Sequence, residues 1–97
     1  MPARASRGQR ASQVARQSPR YAAEAKALGA RIRELREARG WTLERAAEET
    51  TVDWKHWQKI ESGQINLTLV TLVRIAEGLG VPLAELFVPA KPRRQSK

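Results

Sequence analysis

The segment from Thr42 to Gly63, TLERAAEETTVDWKHWQKIESG, constrains the fold most, because it predicts two short helices joined by a tight turn. Thr42 suits the N-cap of the first helix, and residues 43–49 are mostly strong helix formers. Two consecutive β-branched threonines then interrupt the run, and Asp53 offers a second N-cap. Gly63 stands where helices commonly end, so the second helix is predicted to stop there.

Hydrophobic spacing gives each of these helices an inner and an outer face. The residues expected where the two helices cross are Ala46, Ala47, Val52, Trp57 and Ile60. The residues left on the outer side of the second helix are Trp54, Lys55, Gln58 and Lys59. Their indole, amide and two ammonium groups suit a groove lined with hydrogen-bond acceptors and phosphates.

The segment resembles the helix-turn-helix of the lambda repressor/Cro-like family of transcriptional regulators, also called XRE-like. The similarity covers about residues 28–87 and is carried by RELREARGWT, IESG and TLVRIAEGLGV at their present spacings. The resemblance implies an all-α, compact five-helix, lambda-repressor-like DNA-binding domain. We place this domain at residues 19–88, with the motif at 43–62 and the recognition helix at 53–62. A basic flexible arm (1–18) and a basic C-terminal tail (89–97) are predicted to flank it.

The resemblance also implies which residues face DNA. Trp54, Lys55 and Lys59 match positions that contact base edges in the major groove, and Gln58 matches an adenine reader or phosphate ligand. Asn66 matches a position near the sugar-phosphate backbone. The full predicted DNA-binding set is Thr42, Leu43, Trp54, Lys55, His56, Gln58, Lys59 and Asn66.

Arg36 and Glu61 match a second feature of the family. An arginine late in the first helix bonds there to a glutamate at the end of the recognition helix. The resemblance therefore implies an internal ion pair between Arg36 and Glu61, which we assign to helix packing rather than to DNA contact.

Three positions depart from the family pattern. Leu43 stands where glutamine is frequent, which removes an expected hydrogen bond to DNA, and Leu67 stands where proline is common. Thr51 stands where the turn usually has glycine. Leu43 and Trp54 are also predicted to form an exposed apolar patch, which would suit a protein partner better than DNA.

The flanking sequence predicts three more helices. The first begins at Ser18-Pro19 and ends before Gly40, with Trp41 expected in the core. The fourth is capped by Thr68, and its residues at core spacing are Leu69, Leu72, Val73, Ile75, Ala76 and Leu79. A short fifth helix begins at Pro82, and its Phe87 has two possible destinations, the core and a partner surface. The predicted dimer surface is Leu83, Leu86, Phe87 and Val88.

The net charge of +8 lies in the two ends of the chain. Residues 1–20 contain Arg4, Arg7, Arg10, Arg16 and Arg20 without an acid, and residues 89–97 contain four cations without an acid. Residues 21–88 contain nine cations and ten carboxylates. We therefore expect disordered tails that are attracted to polyanions, and a nearly neutral folded body whose charge pattern decides its contacts with DNA.

Composition narrows the function classes. The chain of 97 residues has no cysteine and one histidine, so neither a disulfide nor a metal site is expected. No set of nucleophile, base and orienting group can be assembled, so neither an enzyme nor a cofactor is expected. No apolar run approaches a membrane span, and no secretory signal is present, so a cytoplasmic protein is expected.

The predicted function is a bacterial or phage-type transcriptional regulator that binds operator DNA as a homodimer and acts as a repressor. An antitoxin or a restriction-modification controller of the same fold is the first alternative. A protein-interaction module that uses the Leu43/Trp54 face is the second alternative, because a fold alone does not fix function. Non-specific nucleic-acid binding through the tails is the third.

Overall fold

A computed structural model describes residues 18–64 and 67–92. The described chain forms helices α1 (Pro19–Ala38), α2 (Leu43–Thr50), α3 (Trp54–Glu61) and α4 (Leu69–Leu79), followed by a 3₁₀ helix (Leu83–Phe87). It contains no strand, which confirms the all-α fold, although the fifth helix is a 3₁₀ rather than an α-helix. Arg4, Arg7, Arg10, Arg16 and Asn66 lie outside the described residues. Among the helices described, none is both long and apolar enough to cross a membrane.

A polar side chain caps the start of each α-helix. The Ser18 hydroxyl accepts from the Tyr21 amide at 2.9 Å, and Pro19 follows at the first helical position. The other three caps are Thr42, Asp53 and Thr68, which accept backbone N–H groups at 3.0, 3.0 and 3.2 Å respectively. Each cap satisfies an amide that the helix itself leaves without a partner, so helix starts follow directly from the sequence.

One core joins all of these helices. Its fully buried large side chains are Trp57, Ile32, Ile75, Leu79 and Leu86. The predicted crossing residues of α2 and α3 are buried too, except that Ala47 is half-buried. Trp41 is half-buried at the edge of this core, and the guanidinium groups of Arg39 and Arg45 lie 5.4 and 5.8 Å from its ring centroid.

The structure corrects two core assignments on α4 and one dimer-surface assignment on the 3₁₀ helix. Leu69 is 64% exposed and Val73 is 36% exposed, because Leu69 stands in the first turn and Val73 is rotated away from the stripe of Ile75, Ala76 and Leu79. On the 3₁₀ helix Leu86 enters the core, and Phe87 is 58% exposed. Leu86 is therefore wrong as a dimer-surface residue, because its own protomer buries it completely.

Two glycines permit close helix contacts. A Cβ added at Gly29 would lie 2.4 Å from the carbonyl oxygen of Ile60, so α1 contacts the C-terminal end of α3 through its backbone. A Cβ at Gly78 would lie 2.3 Å from Thr50 Cγ2, so α4 contacts α2 in the same manner. A glycine inside a helix is less favourable than alanine, yet here the absence of a side chain at Gly29 sets the depth at which α3 packs.

The C-terminal segment is attached to α1 by a charged network. Arg31 Nε and Nη2 donate to the carbonyl oxygen and a carboxylate oxygen of Glu85, both at 2.8 Å, and Nη1 donates to Glu34 at 2.8 Å. The Lys91 amide donates to the other Glu34 oxygen at 3.0 Å. The hydrogen bond from Arg31 is the main cause that holds the pKa of Glu34 below its ordinary value, and the bond from the Lys91 amide lowers this pKa further.

Candidate nucleic-acid interface

The outer face of α3 presents the predicted recognition residues together. Trp54, Lys55, Gln58 and Lys59 are all exposed, whereas Trp57 and Ile60 are buried on the opposite side. Residues three and four apart share one face of a helix, so these side chains form a single surface about two turns long. An α-helix with its side chains is about 10–12 Å wide, close to the ~12 Å width of the major groove of B-DNA.

The two lysines on this face have their charges available. Neither Lys55 nor Lys59 forms an ion pair with any carboxylate in the described residues. Other exposed cations do form ion pairs. Arg33 pairs with Glu37, and Arg45 pairs with Glu49, each four residues further along its helix. The α3 face therefore carries two ammonium groups that no described carboxylate neutralises, which favours contact with phosphates and guanine acceptors.

An ion pair holds the C-terminal end of α3 against α1. Arg36 Nε and Nη2 donate to the two carboxylate oxygens of Glu61 at 2.6 and 2.9 Å, while Nη1 donates to the carbonyl oxygen of Trp41 at 2.7 Å. The side chains are only 11% and 8% exposed, so the pair is shielded from water. The hydrogen bonds to Glu61 raise the pKa of Arg36 above its ordinary value. The structure thus brings Arg36 and Glu61 together inside the fold, where they position α3.

A second contact joins α2 to α3 from within. The Trp57 indole N–H donates to the Thr50 hydroxyl at 3.0 Å, and this hydroxyl donates to the Ala46 carbonyl at 2.6 Å. Both side chains are buried, at 0% and 3% exposure. The sequence predicts only that Thr50 interrupts α2. In the structure it is the last residue of the helix and the hydrogen-bond acceptor that a buried tryptophan requires.

The turn between α2 and α3 passes through Thr51. This residue has φ 57° and ψ 28°, and it is the one non-glycine residue with positive φ in the described chain. Its hydroxyl donates to the neighbouring Thr50 carbonyl at 2.5 Å. The turn therefore keeps the left-handed backbone that suits glycine, although the residue that occupies it is β-branched.

The remaining members of the predicted DNA-binding set lie at the edge of this face. Thr42 is exposed, and its hydroxyl caps α2. Leu43 is half-buried and packs against the core, so it offers less apolar surface than the predicted Leu43/Trp54 patch assumes. Trp54 is 38% exposed. His56 is half-buried on the flank of α3, and the described residues contain no cluster of three metal-binding side chains.

Sequence reasoning missed several residues that position the site. The backbone contact at Gly29 joins segments far apart in the chain, and the Thr50 hydroxyl meets Trp57 across the turn, seven residues away, so the sequence pattern identifies neither partner. A glycine inside a helical pattern was the only available signal, because such a glycine costs about 1 kcal/mol relative to alanine and often has a packing reason.

Comparison with known proteins places these features in a family. The sequence pattern of the helix-turn-helix domain matches residues 27–86. The HTH-type transcriptional regulator SutR of Escherichia coli is 38% identical over 65 residues, which cover 67% of this chain and 36% of SutR. The control protein C.MunI of a Mycoplasma species is 37% identical over 61 residues, 62% of this chain and 82% of that protein.

A solved structure also resembles this chain in fold and sequence. The crystal structure of the restriction-modification controller protein C.AhdI from Aeromonas hydrophila superposes with a TM-score of 0.66 at 35% identity, and covers 67% of this chain and 98% of that one. This chain thus aligns with nearly the whole of C.AhdI but with little more than a third of SutR. Because the family pattern spans more than half of its residues, the chain belongs to the helix-turn-helix domain family.

Proposed function

We propose that this protein is a transcriptional regulator that binds a specific double-stranded DNA sequence with α3 in the major groove. The proposal rests on Lys55 and Lys59, which lie on the exposed face of α3 and form no ion pair with a carboxylate in the described part of the chain. On this proposal each ammonium group donates to guanine O6 and N7, and the Gln58 amide reads adenine. Trp54 supplies apolar surface for a thymine methyl group or a sugar.

Two copies bind one operator on this proposal. Their recognition helices enter successive major grooves about 34 Å apart on one side of the duplex. The simplest action of such a dimer is repression, in which it covers a promoter in the cytoplasm and excludes the polymerase. The basic arm and tail add sequence-independent attraction to phosphates, to which the arginines of the arm contribute. Arg20, which the charge pattern groups with these arginines, lies instead in the first turn of α1, where it pairs with Glu24 at 3.9 Å.

The experiment has two stages. Genomic fragments that the purified chain retains are sequenced to define the operator, and binding to that operator is then titrated with Lys55→Ala and Lys59→Ala. Each substitution should reduce discrimination between the operator and a base-substituted operator by about 1–3 kcal/mol. Arg74→Ala is the matched control, because it removes one exposed positive charge from α4 and leaves α3 intact. If both lysine variants bind with unchanged affinity and preference, the assignment of α3 to the groove is wrong.

A restriction-modification controller is the favoured form of such a regulator. The supporting observation is that the similarity extends over 82% of C.MunI and 98% of C.AhdI, so most of each controller protein has a counterpart in this chain. On this proposal, the strongest operator should lie upstream of the protein's own gene, beside genes for a nuclease and a methyltransferase. An operator beside a toxin gene would favour an antitoxin instead.

Two other functions give different results in the same titrations. In a protein-interaction module, Trp54→Ala would abolish a protein complex, while the lysine variants would have no effect on DNA. For binding through the tails alone, deletion of residues 1–17 and 90–97 would eliminate DNA binding. We expect this deletion to reduce affinity and the slope of log K against log salt, and to leave sequence preference in place.

A further inference from the structure

A lysine on α1 lies against the turn that follows α3 (residues 62–64). Gly63, in the middle of this turn, has φ 75°. A Cβ built on Gly63 would lie 3.1 Å from both Cα and Cγ of Lys26, and 3.2 Å from the backbone nitrogen of Lys26. The Lys26 side chain therefore leaves α1 across this turn, and the absence of a side chain at Gly63 permits the close approach.

Backbone contacts fix Lys26 relative to the C-terminal end of α3. The Gln64 amide donates to the Lys59 carbonyl oxygen at 2.9 Å, which closes the turn onto the last helical turn of α3. Gly29, one helical turn from Lys26 on the same face of α1, contacts the carbonyl oxygen of Ile60 through its backbone. Lys26 thus has a defined position beside Lys59, although the two residues belong to different helices.

The charge of Lys26 is available to a ligand. Lys26 is exposed, and its ammonium group forms no ion pair with a carboxylate in residues 18–64 and 67–92. The positions one helical turn away along its face hold only alanine and glycine. Two neighbouring carboxylates have other partners, because Glu24 pairs with Arg20 and Glu61 pairs with Arg36.

We propose that Lys26 binds a phosphate group of the DNA backbone, at the edge of the major groove that α3 occupies. The proposal rests on the proposed function, in which α3 enters that groove. The 8 residues of α3 span about 12 Å, which is comparable with the ~12 Å width of the groove. The turn after α3 therefore reaches the sugar-phosphate backbone that borders the groove, and Lys26 lies on this turn.

The surroundings of Lys26 suit a phosphate better than a base edge. A lysine ammonium group is a point charge on a long stem, and such groups commonly contact phosphate oxygens. Ala22, Ala23 and Ala30 flank Lys26 on its face and are exposed, so they leave room for a phosphodiester to approach. The matched helix-turn-helix segment begins at residue 27, so Lys26 lies on the part of α1 that precedes it.

A salt series tests the phosphate contact. Binding of the full chain to its operator is titrated at several salt concentrations for wild type and Lys26→Met, which keeps the aliphatic stem against Gly63 and removes the charge. We expect the slope of log K against log salt to fall by about 0.9 for each bound protomer. Affinity at low salt should fall about two- to fivefold, by the same factor for the operator and for a base-substituted operator.

Two further variants control this measurement. Arg74→Met removes one exposed positive charge from α4 and should leave the slope unchanged, whereas Lys26→Arg keeps the charge and should retain the wild-type slope. An unchanged slope in Lys26→Met, or an equal loss in Arg74→Met, would overturn the proposal. If Lys26 only packs against Gly63, Lys26→Ala should lower stability in urea denaturation while Lys26→Met binds DNA as wild type does.

Ethylation interference locates the phosphate independently. Ethylation of one backbone phosphate beside each half-site should block binding of wild type, and the same ethylation should no longer affect Lys26→Met. In Lys59→Ala this phosphate should still interfere, because Lys26 is intact. An identical interference pattern in wild type and Lys26→Met would contradict the contact.

The same titrations separate this proposal from the proposed function. If wild type prefers the operator but Lys26→Met leaves both the salt slope and the ethylation pattern unchanged, only the Lys26 contact fails. If wild type prefers no DNA sequence, the proposed function fails, whatever the effect of Lys26→Met on the salt slope.

Discussion

Thr51 gives the sharpest test of how the helix-turn-helix is built. A left-handed backbone costs an L-residue about 1–2 kcal/mol, and a β-branched side chain lies at the upper end of that range. The turn between α2 and α3 needs this conformation, as the φ of 57° at Thr51 shows. Thr51→Gly should relieve the backbone strain.

The net effect can be worked out from three terms. The relief is about 2 kcal/mol, and the greater freedom of glycine in the unfolded chain costs about 0.5–1 kcal/mol. The hydroxyl bond from Thr51 to the Thr50 carbonyl is lost, but Thr51 is exposed and water replaces most of its value. We therefore expect Thr51→Gly to raise the free energy of unfolding by about 1 kcal/mol, which corresponds to an increase in Tm of about 4–8 °C for a domain of this size.

Gly40 provides the matched control. It has φ 70°, and a Cβ placed there would have no atom within 4 Å, so Gly40→Ala introduces a left-handed L-residue without a steric clash. This variant should lose about 1 kcal/mol of stability. Both variants are compared with wild type by urea denaturation followed by far-UV circular dichroism, with the slope m checked for constancy.

The opposite result would refute the strain argument. If Gly40→Ala destabilises as expected while Thr51→Gly also lowers stability, the left-handed conformation at Thr51 is not a significant cost. A third variant, Thr51→Asn, distinguishes strain from chain entropy, because asparagine accepts left-handed backbone without the freedom of glycine. It should match or exceed Thr51→Gly in stability.

Three further predictions concern the contacts that hold α3 and the C-terminal segment. Thr50→Val keeps the side-chain shape but removes the acceptor of the buried Trp57 N–H. It should therefore lower the free energy of unfolding, measured by urea denaturation, by about 1–3 kcal/mol. Thr71→Val, at an incompletely buried threonine, is the control. Gly29→Ala should cost about 1–3 kcal/mol despite the better helix propensity of alanine, because its Cβ meets the Ile60 carbonyl; a gain in stability would contradict the close contact. The pKa of Glu34 is lowered in the folded state, so its contribution is present above the ordinary carboxyl pKa and is lost as pH falls through the folded value. Glu34→Gln should accordingly flatten the decline in stability below about pH 4, measured by thermal melts at stepped pH.

The parts of the fold that were predictable from sequence depend on local chemistry. Ser18, Thr42, Asp53 and Thr68 each cap a helix as predicted, because a short polar side chain before a helical run has one favourable arrangement. Gly40, which is predicted to end α1, has positive φ. Gly63 and Gly80, which follow α3 and α4, have positive φ as well. The two faces of α3 followed from periodicity alone, with Trp57 buried and the lysines outside.

The errors arose where packing between distant segments decides burial. Leu69 and Val73 fit a helical stripe, yet the neighbouring helices cover only the face that carries Ile75, Ala76 and Leu79. On the last helix, the choice between Leu86 and Phe87 depends on how the chain turns after Gly80, which periodicity over five residues does not fix. The 3₁₀ geometry also changes which residues share a face, since side chains repeat every three residues there rather than every 3.6.

In the candidate site, buried contacts fix the position of α3, whereas the fold constrains the exposed side chains of α3 much less. Three contacts hold the inner side of α3: the Glu61 ion pair with Arg36, the Trp57 bond to Thr50, and the backbone contact at Gly29. Each involves buried partners, so a change in one member leaves another unsatisfied or overlapping, and such changes are costly. The outer side chains have no such partners in the described chain, so their replacement changes what the helix can bind and leaves the fold intact. For the proposed regulator, substitutions at Lys55, Gln58 and Lys59 should therefore alter the preferred operator with changes in unfolding free energy of no more than about 0.5 kcal/mol.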